Sequence, residues 1–285
     1  MRFPRNIAYL LVLPYIIYFV IFLAYPLIFS FILVFHKWNI VGSMKWIGTA
    51  NFSFLVRDEL FWISLWNTFR FLLVHIPLQI GLALVLAEIL NWRIRGLSFY
   101  RASFFLPVII SGVVITILWR ELYATETGLI NTVLVKLGLG KVPWITDRSM
   151  AMPSIAIMAT WKNVGLYVVL LLAGLQNIPR ELYESAAIDG ASRVQQFRFI
   201  TIPVINPVLL MVVIFSTING FSLFIEPYIM TAGGPLNSTL STVLYIYKQA
   251  FSFYKMGYAA TIGFALAIVI FVVVVIQRKI IEREF

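Results

Sequence analysis

The sequence has no cysteine and only two histidines among its 285 residues. The absence of cysteine excludes disulfide bonds, thiol catalysis and metal sites built on thiolates. The histidines, His36 and His75, lie far apart and have no carboxylate at a spacing useful for metal binding or acid–base chemistry. No H-E-x-x-H or G-x-S-x-G motif is present, and the glycines before Lys141 are wrongly spaced for a phosphate-binding loop. Nothing in the sequence therefore supports an enzyme or a metal centre.

Charged residues are also scarce, at 12% of the chain, whereas hydrophobic residues make up 61%. A soluble domain carries about 25% charged residues and about half apolar ones. The composition therefore predicts a polytopic membrane protein. The net charge of +10 does not indicate nucleic acid, because the lysines and arginines are scattered and flank apolar runs.

Apolar runs predict six membrane spans, because about 20 apolar residues cross a bilayer. The first run, from about Tyr9 to Phe35, is too long for a signal peptide and has no cleavage pattern. Pro14 and Pro26 interrupt it, which neighbouring helices can tolerate. The other five spans cover about residues 61–90, 103–119, 151–175, 204–229 and 259–276.

An amphipathic helix is predicted between the third and fourth spans. Residues 129–137 have apolar side chains on one helical face, which predicts an amphipathic helix on the membrane or against the protein.

The distribution of Lys and Arg predicts the orientation of the chain. Six spans put both termini on one side. Lys and Arg are denser on that side, at Arg2, Arg5, Arg93, Arg95, Arg101, Arg180, Arg193, Arg198, Arg278, Lys279 and Arg283, which predicts cytoplasmic termini.

The stretch 179–203 is polar between two long apolar runs. Pro179 suits a helix first turn, and Gly190 is placed to end that helix. Ser192, with Gln195 three residues later, forms the pattern of a capping box and predicts a second helix. The stretch is therefore a helical hairpin on the side of the termini. From this pattern alone, a docking element and a solvated connector are both open.

The hairpin also carries a specific motif. It reads Glu184-Ser-Ala-Ala-Ile-Asp-Gly190 and is followed by Ile200-Thr-Ile-Pro203. This pattern resembles the EAA coupling motif of the permease subunits of binding-protein-dependent ABC importers, with Ser185 where alanine is usual. The flanking Leu175-Gln-Asn-Ile-Pro179 and Thr231-Ala-Gly-Gly-Pro235 resemble the maltose-type carbohydrate branch. The likeness runs from the first span to the last.

The resemblance implies an all-α polytopic membrane protein with six transmembrane helices, the type I ABC importer permease fold and both termini cytoplasmic. Residues 1–60 would hold the first transmembrane helix and an extracytoplasmic loop. Residues 61–280 would form the permease core, and residues 179–203 the cytoplasmic EAA coupling hairpin within it. The residues expected to couple this hairpin to an ATPase are Glu184, Ala186, Ala187, Asp189, Gly190, Arg193 and Pro203.

The resemblance also implies partners. They are a second permease subunit, usually in a heterodimer, two copies of an ATP-binding subunit, an extracytoplasmic substrate-binding protein, and membrane lipid, but no nucleic acid. The chain itself would hold no cofactor, since ATP and Mg would be bound by the ATPase. The loops 37–60 and 231–258 are where the binding protein is expected to dock. The localisation implied is a bacterial-type plasma (inner) membrane.

Polar residues inside spans are costly and tend to face a pathway. The related sugar permeases line their path from the fourth and fifth spans. Each candidate also has a structural interpretation: Trp161 as an interfacial residue, Lys162 as a snorkelling lysine, Asn219 and Ser222 as helix–helix hydrogen bonds. Arg70, His75 and Glu88 are assigned to packing or to the interface. The candidates are Trp161, Lys162, Asn163, Tyr167, Ser216, Asn219, Gly220, Ser222 and Glu226.

The function indicated is that of a permease subunit translocating a sugar or oligosaccharide delivered by a binding protein, with no enzymatic activity of its own. An alternative is a permease for a non-sugar solute such as glycerol-phosphate-like cargo. A secondary transporter is a further alternative, but internal repeats with broken helices at matching positions are not seen in the sequence.

Overall fold

A computed structural model describes residues 5–91 and 96–281, with side chains from residue 10 onward. The predicted basic flanks at Arg2, Arg93, Arg95 and Arg283, and the side chain of Arg5, lie outside this description. The described chain is mostly helical. Its contacts separate it into one unit of residues 1–61 and 245–267, and a second unit of residues 62–244 and 268–285.

Fifteen α-helices are described, with three short π-helical segments at Val20–Ala24, Phe197–Thr201 and Lys248–Ser252. The α-helices are α1 Arg5–Phe19, α2 Tyr25–Val34, α3 Ala50–Arg57, α4 Glu59–Asn91, α5 Leu97–Ile109, α6 Gly112–Leu122, α7 Leu129–Lys136, α8 Ala151–Gln176, α9 Arg180–Ile188, α10 Arg193–Gln196, α11 Ile202–Val204, α12 Asn206–Phe221, α13 Ile225–Met230, α14 Thr242–Tyr247 and α15 Met256–Ile281. Helix α7 confirms the helix predicted over 129–137.

Five described helical segments are long and apolar enough to cross a membrane, or six if α5 and α6 form one span. They run over Leu10–Val34, Glu59–Asn91, Ala151–Gln176, Asn206–Met230 and Met256–Ile281, close to five of the predicted runs. The third span, predicted over 103–119, is not one continuous helix. Helices α5 and α6 meet at 95°, because Ile110 and Ser111 take extended backbone conformations between them.

The first unit is tied together by the carboxylate of Asp58. Its Oδ1 accepts a hydrogen bond from the backbone N–H of Leu60 at 3.0 Å and so caps the start of α4. Its Oδ2 accepts from the hydroxyls of Tyr245, at 2.6 Å, and of Tyr258, both of which are buried. Burial raises the pKa of Tyr245, and the hydrogen bond to Asp58 acts in the same direction. The same unit holds a short hairpin of β1 His36–Lys37 and β2 Lys45–Trp46, with His36 opposite Trp46.

Helix α8 lies at the centre of the second unit, and most of its side chains are buried. Its apolar residues form one core with α4 and α12, in which Ala83, Val168, Leu171 and Val212 are almost fully buried. Helix α5 packs against α8 so closely that a Cβ on Gly165 would lie 2.0 Å from the carbonyl oxygen of Phe104. Small residues that let helix backbones approach each other are typical of membrane proteins.

We expect Gly165→Ala to destabilise the protein, because the added methyl group must push α5 away from α8. Overpacking of this kind costs about 1–3 kcal/mol. Gly81→Ala is the matched control, since a Cβ on Gly81 of α4 meets nothing within 4 Å. The temperature of half-unfolding of the purified protein should fall for Gly165→Ala and not for Gly81→Ala. Equal values for the two variants would contradict the close packing.

Candidate functional site

A cavity of about 280 Å³ lies among α4, α8, α12 and α13. It sits where the fifth span is interrupted between Phe221 and Ile225. Its wall mixes polar groups with a smaller number of aromatic and aliphatic ones. The lining residues are Phe71, His75, Gln79, Ala159, Lys162, Asn163, Leu166, Tyr167, Asn219, Gly220, Ser222, Leu223, Phe224, Ile225 and Glu226.

An ion pair joins two walls of this cavity. The Nζ of Lys162 on α8 lies 3.4 Å from Oε1 of Glu226 on α13, and the side chains are only 15% and 10% exposed. Glu226 occupies the first turn of its helix, where an acidic side chain is favoured. Gly112, the first residue of α6, makes room for the ammonium group, since a Cβ there would lie 2.8 Å from Nζ. The breaks in the third and fifth spans therefore both border this pair.

Hydrogen bonds fix several of the other polar side chains. Nδ1 of His75 is 2.9 Å from the hydroxyl of Thr160, and the ring of Phe71 stacks on the imidazole at 4.8 Å. Asn219 Nδ2 donates to the Tyr167 hydroxyl at 3.3 Å. These contacts join α4 to α8 and α8 to α12, so the cavity wall is held by side chains of three spans.

One polar side chain at the cavity has a hydrogen-bond donor that no described residue accepts. Gln79 accepts through Oε1 from the hydroxyl of Ser216 at 2.6 Å. Its amide nitrogen Nε2 is buried and has no hydrogen-bond partner among the described residues. A buried donor without a partner is costly, so a ligand oxygen placed here would be favoured.

Seven of the nine predicted path residues line the cavity: Lys162, Asn163, Tyr167, Asn219, Gly220, Ser222 and Glu226. Trp161 does not; it is 46% exposed and its ring packs against that of Trp119 at 5.4 Å. Ser216 lies behind the wall as the partner of Gln79. The structure locates these side chains, and their part in transport stays a prediction.

The sequence interpretation missed the contribution of the second span. Phe71, His75 and Gln79 recur every four residues on one face of α4, and all three line the cavity. His75 was assigned to packing, and Phe71 and Gln79 were not considered. The four-residue spacing was the available signal, because residues at i and i+4 share a helix face.

No group of three or more His, Asp or Glu side chains that could hold a metal occurs in the described part of the chain.

The hairpin 179–203 has the predicted helix, break and second helix. Helix α9 ends before Gly190, whose φ of +80° is a left-handed value that suits glycine. Ser192 then forms the predicted capping box: its hydroxyl accepts from the N–H of Gln195 at 3.4 Å, and its own N–H donates to Oε1 of Gln195 at 2.7 Å. Pro179 precedes the first helical residue rather than occupying the first turn.

The outer surface of the hairpin is open. Glu184, Ala187, Asp189 and Gly190 are exposed, and Ile188 is 86% exposed. Of the other candidate coupling residues, Ala186 and Pro203 are half-buried and Arg193 is exposed. The base of the hairpin is fixed where the hydroxyls of Tyr183 and Thr201 meet at 2.8 Å. An apolar side chain exposed between acidic ones is suited to a protein surface rather than to lipid.

Several apolar spans, a polar cavity among them and an exposed helical hairpin define a permease, a membrane protein that moves a solute. The chain belongs to the family of binding-protein-dependent transport system inner membrane components, which matches residues 79–284. It is therefore a permease component of an ABC importer, resembling the sugar permeases of that family as the motif indicated.

Two relatives are similar over nearly the whole chain. The lactose transport system permease protein LacF of Rhizobium radiobacter is 38% identical, covering 95% of this chain and 92% of the relative. The arabinooligosaccharides transport system permease protein AraP of Bacillus subtilis is 35% identical, covering 95% of this chain and 87% of the relative.

A solved structure is also similar. It is a chain of a bacterial alginate ABC transporter in complex with an alginate pentasaccharide-bound periplasmic protein. The TM-score is 0.82 at 27% identity, covering 98% of this chain and 96% of the other. The fold described above is thus that of an ABC importer permease.

We expect Lys162 and Glu226 to be energetically coupled. Neutralising either one, as Lys162→Met or Glu226→Gln, leaves the other charge buried without its partner, at a cost of roughly 3 kcal/mol. The temperature of half-unfolding should therefore fall less in the double variant than the two decreases of the single variants added together.

The exposed pair Lys141–Glu126 is the matched control. Exposed ion pairs contribute little, so Lys141→Met and Glu126→Gln should have small, additive effects. Additive effects at Lys162 and Glu226 as well would show that the pair does not stabilise the cavity wall.

Proposed function

We propose that this chain is a permease subunit that translocates a sugar or oligosaccharide, and that the cavity beside the Lys162–Glu226 pair is part of the path. The observation that carries the proposal is the combination of amide, hydroxyl and aromatic groups lining a cavity within the spans. Hydroxyl-rich cargo is recognised by such donors and acceptors together with apolar ring faces. The named relatives transport lactose and arabinooligosaccharides, which supports this cargo class.

The charge of the cavity favours a neutral cargo. Lys162 is paired with Glu226, so its ammonium group is already neutralised. Cargo of the glycerol-phosphate type would need an unpaired cation to balance its phosphate. Such cargo is the alternative, and a secondary transporter, which would work without an ATPase, is a further one. Membership of the ABC importer family supports the ATP-driven mechanism.

The hairpin 179–203 would couple the chain to a separate ATPase subunit. Its exposed Ile188 and small Ala187 suit close packing against a partner, and Glu184 and Asp189 can pair with basic groups. ATP and Mg would be bound by two copies of that subunit, and this chain would hold no cofactor. Motion at the hairpin can reach the cavity through α12, which begins three residues after Pro203 and ends beside Asn219 and Gly220.

The remaining assembly follows the family. A second permease subunit would complete the path, and an extracytoplasmic binding protein would dock on the loops 37–60 and 231–258. Both termini and the hairpin would lie in the cytoplasm, with the chain in a bacterial-type inner membrane. The alginate transporter, solved with its periplasmic protein, supports the binding-protein partner. The boundaries 1–60, 61–280 and 179–203 remain our proposed division of the chain.

Tyr167→Phe and Asn219→Ala should lower the maximal rate of saccharide uptake by the assembled importer. Each variant removes one hydrogen bond between neutral groups at the cavity, and this loss should lower the maximal uptake rate about two- to tenfold. ATP hydrolysis stimulated by the loaded binding protein should persist, because the hairpin is untouched. Trp161→Phe, outside the cavity, is the control and should transport normally. Normal uptake by both cavity variants would exclude this cavity from the path.

Glu184→Lys should abolish ATP-driven uptake while leaving the permease folded, because the side chain is exposed and its reversed charge meets the ATPase subunit. Co-purification of the ATPase subunit and the temperature of half-unfolding are measured beside uptake. Glu121→Lys, an equally exposed charge reversal on α6, is the control. Full uptake by Glu184→Lys would remove the hairpin from the coupling mechanism.

A further inference from the structure

A second cavity, of about 390 Å³, lies at the end of the spans where α4 begins. It belongs to the second unit and shares no lining residue with the cavity described above. Trp62, Trp66 and Arg70 of α4 form one wall, following each other at the four-residue spacing that places them on one helix face. Arg148 and the loop residues 236–238 line the other side.

The two arginines of this cavity have no partner among the residues that the structure describes. Within residues 5–91 and 96–281, neither guanidinium has a hydrogen bond, ion pair or ring contact. The acid beside Arg148, Asp147, is engaged elsewhere: its Oδ1 accepts from Ser149 and Met150, and these hydrogen bonds, the Ser149 hydroxyl first, lower its pKa. Two permanent positive charges thus share a cavity without a carboxylate to balance them.

Arg70 lies within a span, eight residues or about 12 Å along the helix axis from Trp62. It is half-buried. A charged side chain at such a depth is costly and marks a binding site when it has no partner in the protein. The energetic argument therefore calls for an anion beside Arg70.

A third donor points to the same ligand chemistry. Ser238 lines this cavity and is 4% exposed, and its buried hydroxyl has no hydrogen-bond partner in the described part of the chain. The amide of Asn67 is already used, donating to the carbonyls of Asn237 at 2.7 Å and Leu240 at 3.2 Å. The free groups of the cavity are thus two guanidiniums and a hydroxyl, which suit the oxygens of a phosphate or carboxylate.

The apolar part of the cavity indicates what carries that oxyanion. Trp62 is 51% exposed, Trp66 61% and Leu236 80%. Both tryptophans lie near the beginning of a membrane-spanning helix, where indoles are typical of the level of the lipid headgroups. A headgroup phosphate at this level can accept hydrogen bonds from guanidinium groups. A ligand with a phosphate at the arginines and hydrocarbon against the indoles fits both halves of the cavity.

From these observations we infer that this cavity binds the phosphate of an anionic phospholipid. Arg70 and Arg148 contact the phosphate oxygens, Ser238 donates to one of them, and Trp62 and Trp66 flank the acyl chains. The inference does not depend on the cargo or on the coupling role of the hairpin.

The test measures phospholipid binding to the purified permease complex by native mass spectrometry. Phosphatidylglycerol, phosphatidylcholine, inorganic phosphate and galacturonate are titrated in separate arms. The parent complex should bind phosphatidylglycerol in preference to the other three. Arg70→Gln with Arg148→Gln should weaken this binding roughly tenfold or more for each guanidinium removed.

Lys45→Gln with Arg57→Gln removes the same charge from two exposed positions and should leave the binding unchanged. If the arginine variant does not fold, Arg148→Gln alone, in a loop, gives the same comparison. Equal phosphatidylglycerol binding by the arginine variant and the control would overturn the site. Equal binding of phosphatidylcholine would overturn the anionic headgroup. Binding of inorganic phosphate or galacturonate as tight as that of phosphatidylglycerol would overturn the assignment to a lipid.

Discussion

In a membrane, every backbone N–H and C=O must find its partner inside the protein, because lipid offers none. Helices satisfy this requirement by themselves, whereas a break in a helix does not. The chain breaks its third span at Ile110–Ser111 and its fifth between Phe221 and Ile225. The first break is followed by Gly112, which contacts the Lys162 ammonium group, and the second lines the polar cavity, so both breaks lie close to polar side chains. The need to pair backbone N–H and C=O groups within the protein thus bears on both the position of the cavity and the course of the two spans.

The hairpin and the cavity are connected by continuous structure. Tyr183 fixes the base of the hairpin to Thr201, the last residue of a π-helical segment, and α11 and α12 follow directly. Helix α12 has sixteen residues, so its far end lies about 24 Å from its start. Under the proposed coupling, this helix is the route by which a displacement of the hairpin would reach the cavity wall. Helix α8 can move little in response to such a displacement, because it contacts α5 closely at Gly165.

Local patterns in the sequence predicted the local structure well. The capping box at Ser192 and the left-handed Gly190 depend on neighbouring residues alone, so both could be recognised without the fold. The 95° bend between α5 and α6 could not be predicted in this way. The hydrophobicity of a segment indicates whether it is long enough to cross a membrane, but not where its helix axis bends. Trp161 was grouped with Lys162 by position in the chain, yet the cavity is lined by residues 159, 162, 163, 166 and 167. This is one face of a helix, and residue 161 lies beyond its edge. The second span's Phe71 and Gln79 were not predicted, because the resemblance placed the path in the fourth and fifth spans.

The first span differs from the others in what surrounds it. Only 6% of its most apolar window is buried within the protein, compared with 61% for α8. Almost all of the free energy that holds Leu10–Val34 in place must therefore come from the transfer of its side chains into lipid. Within this chain, such a segment depends on lipid rather than on packing, so its insertion does not require the later spans to be in place.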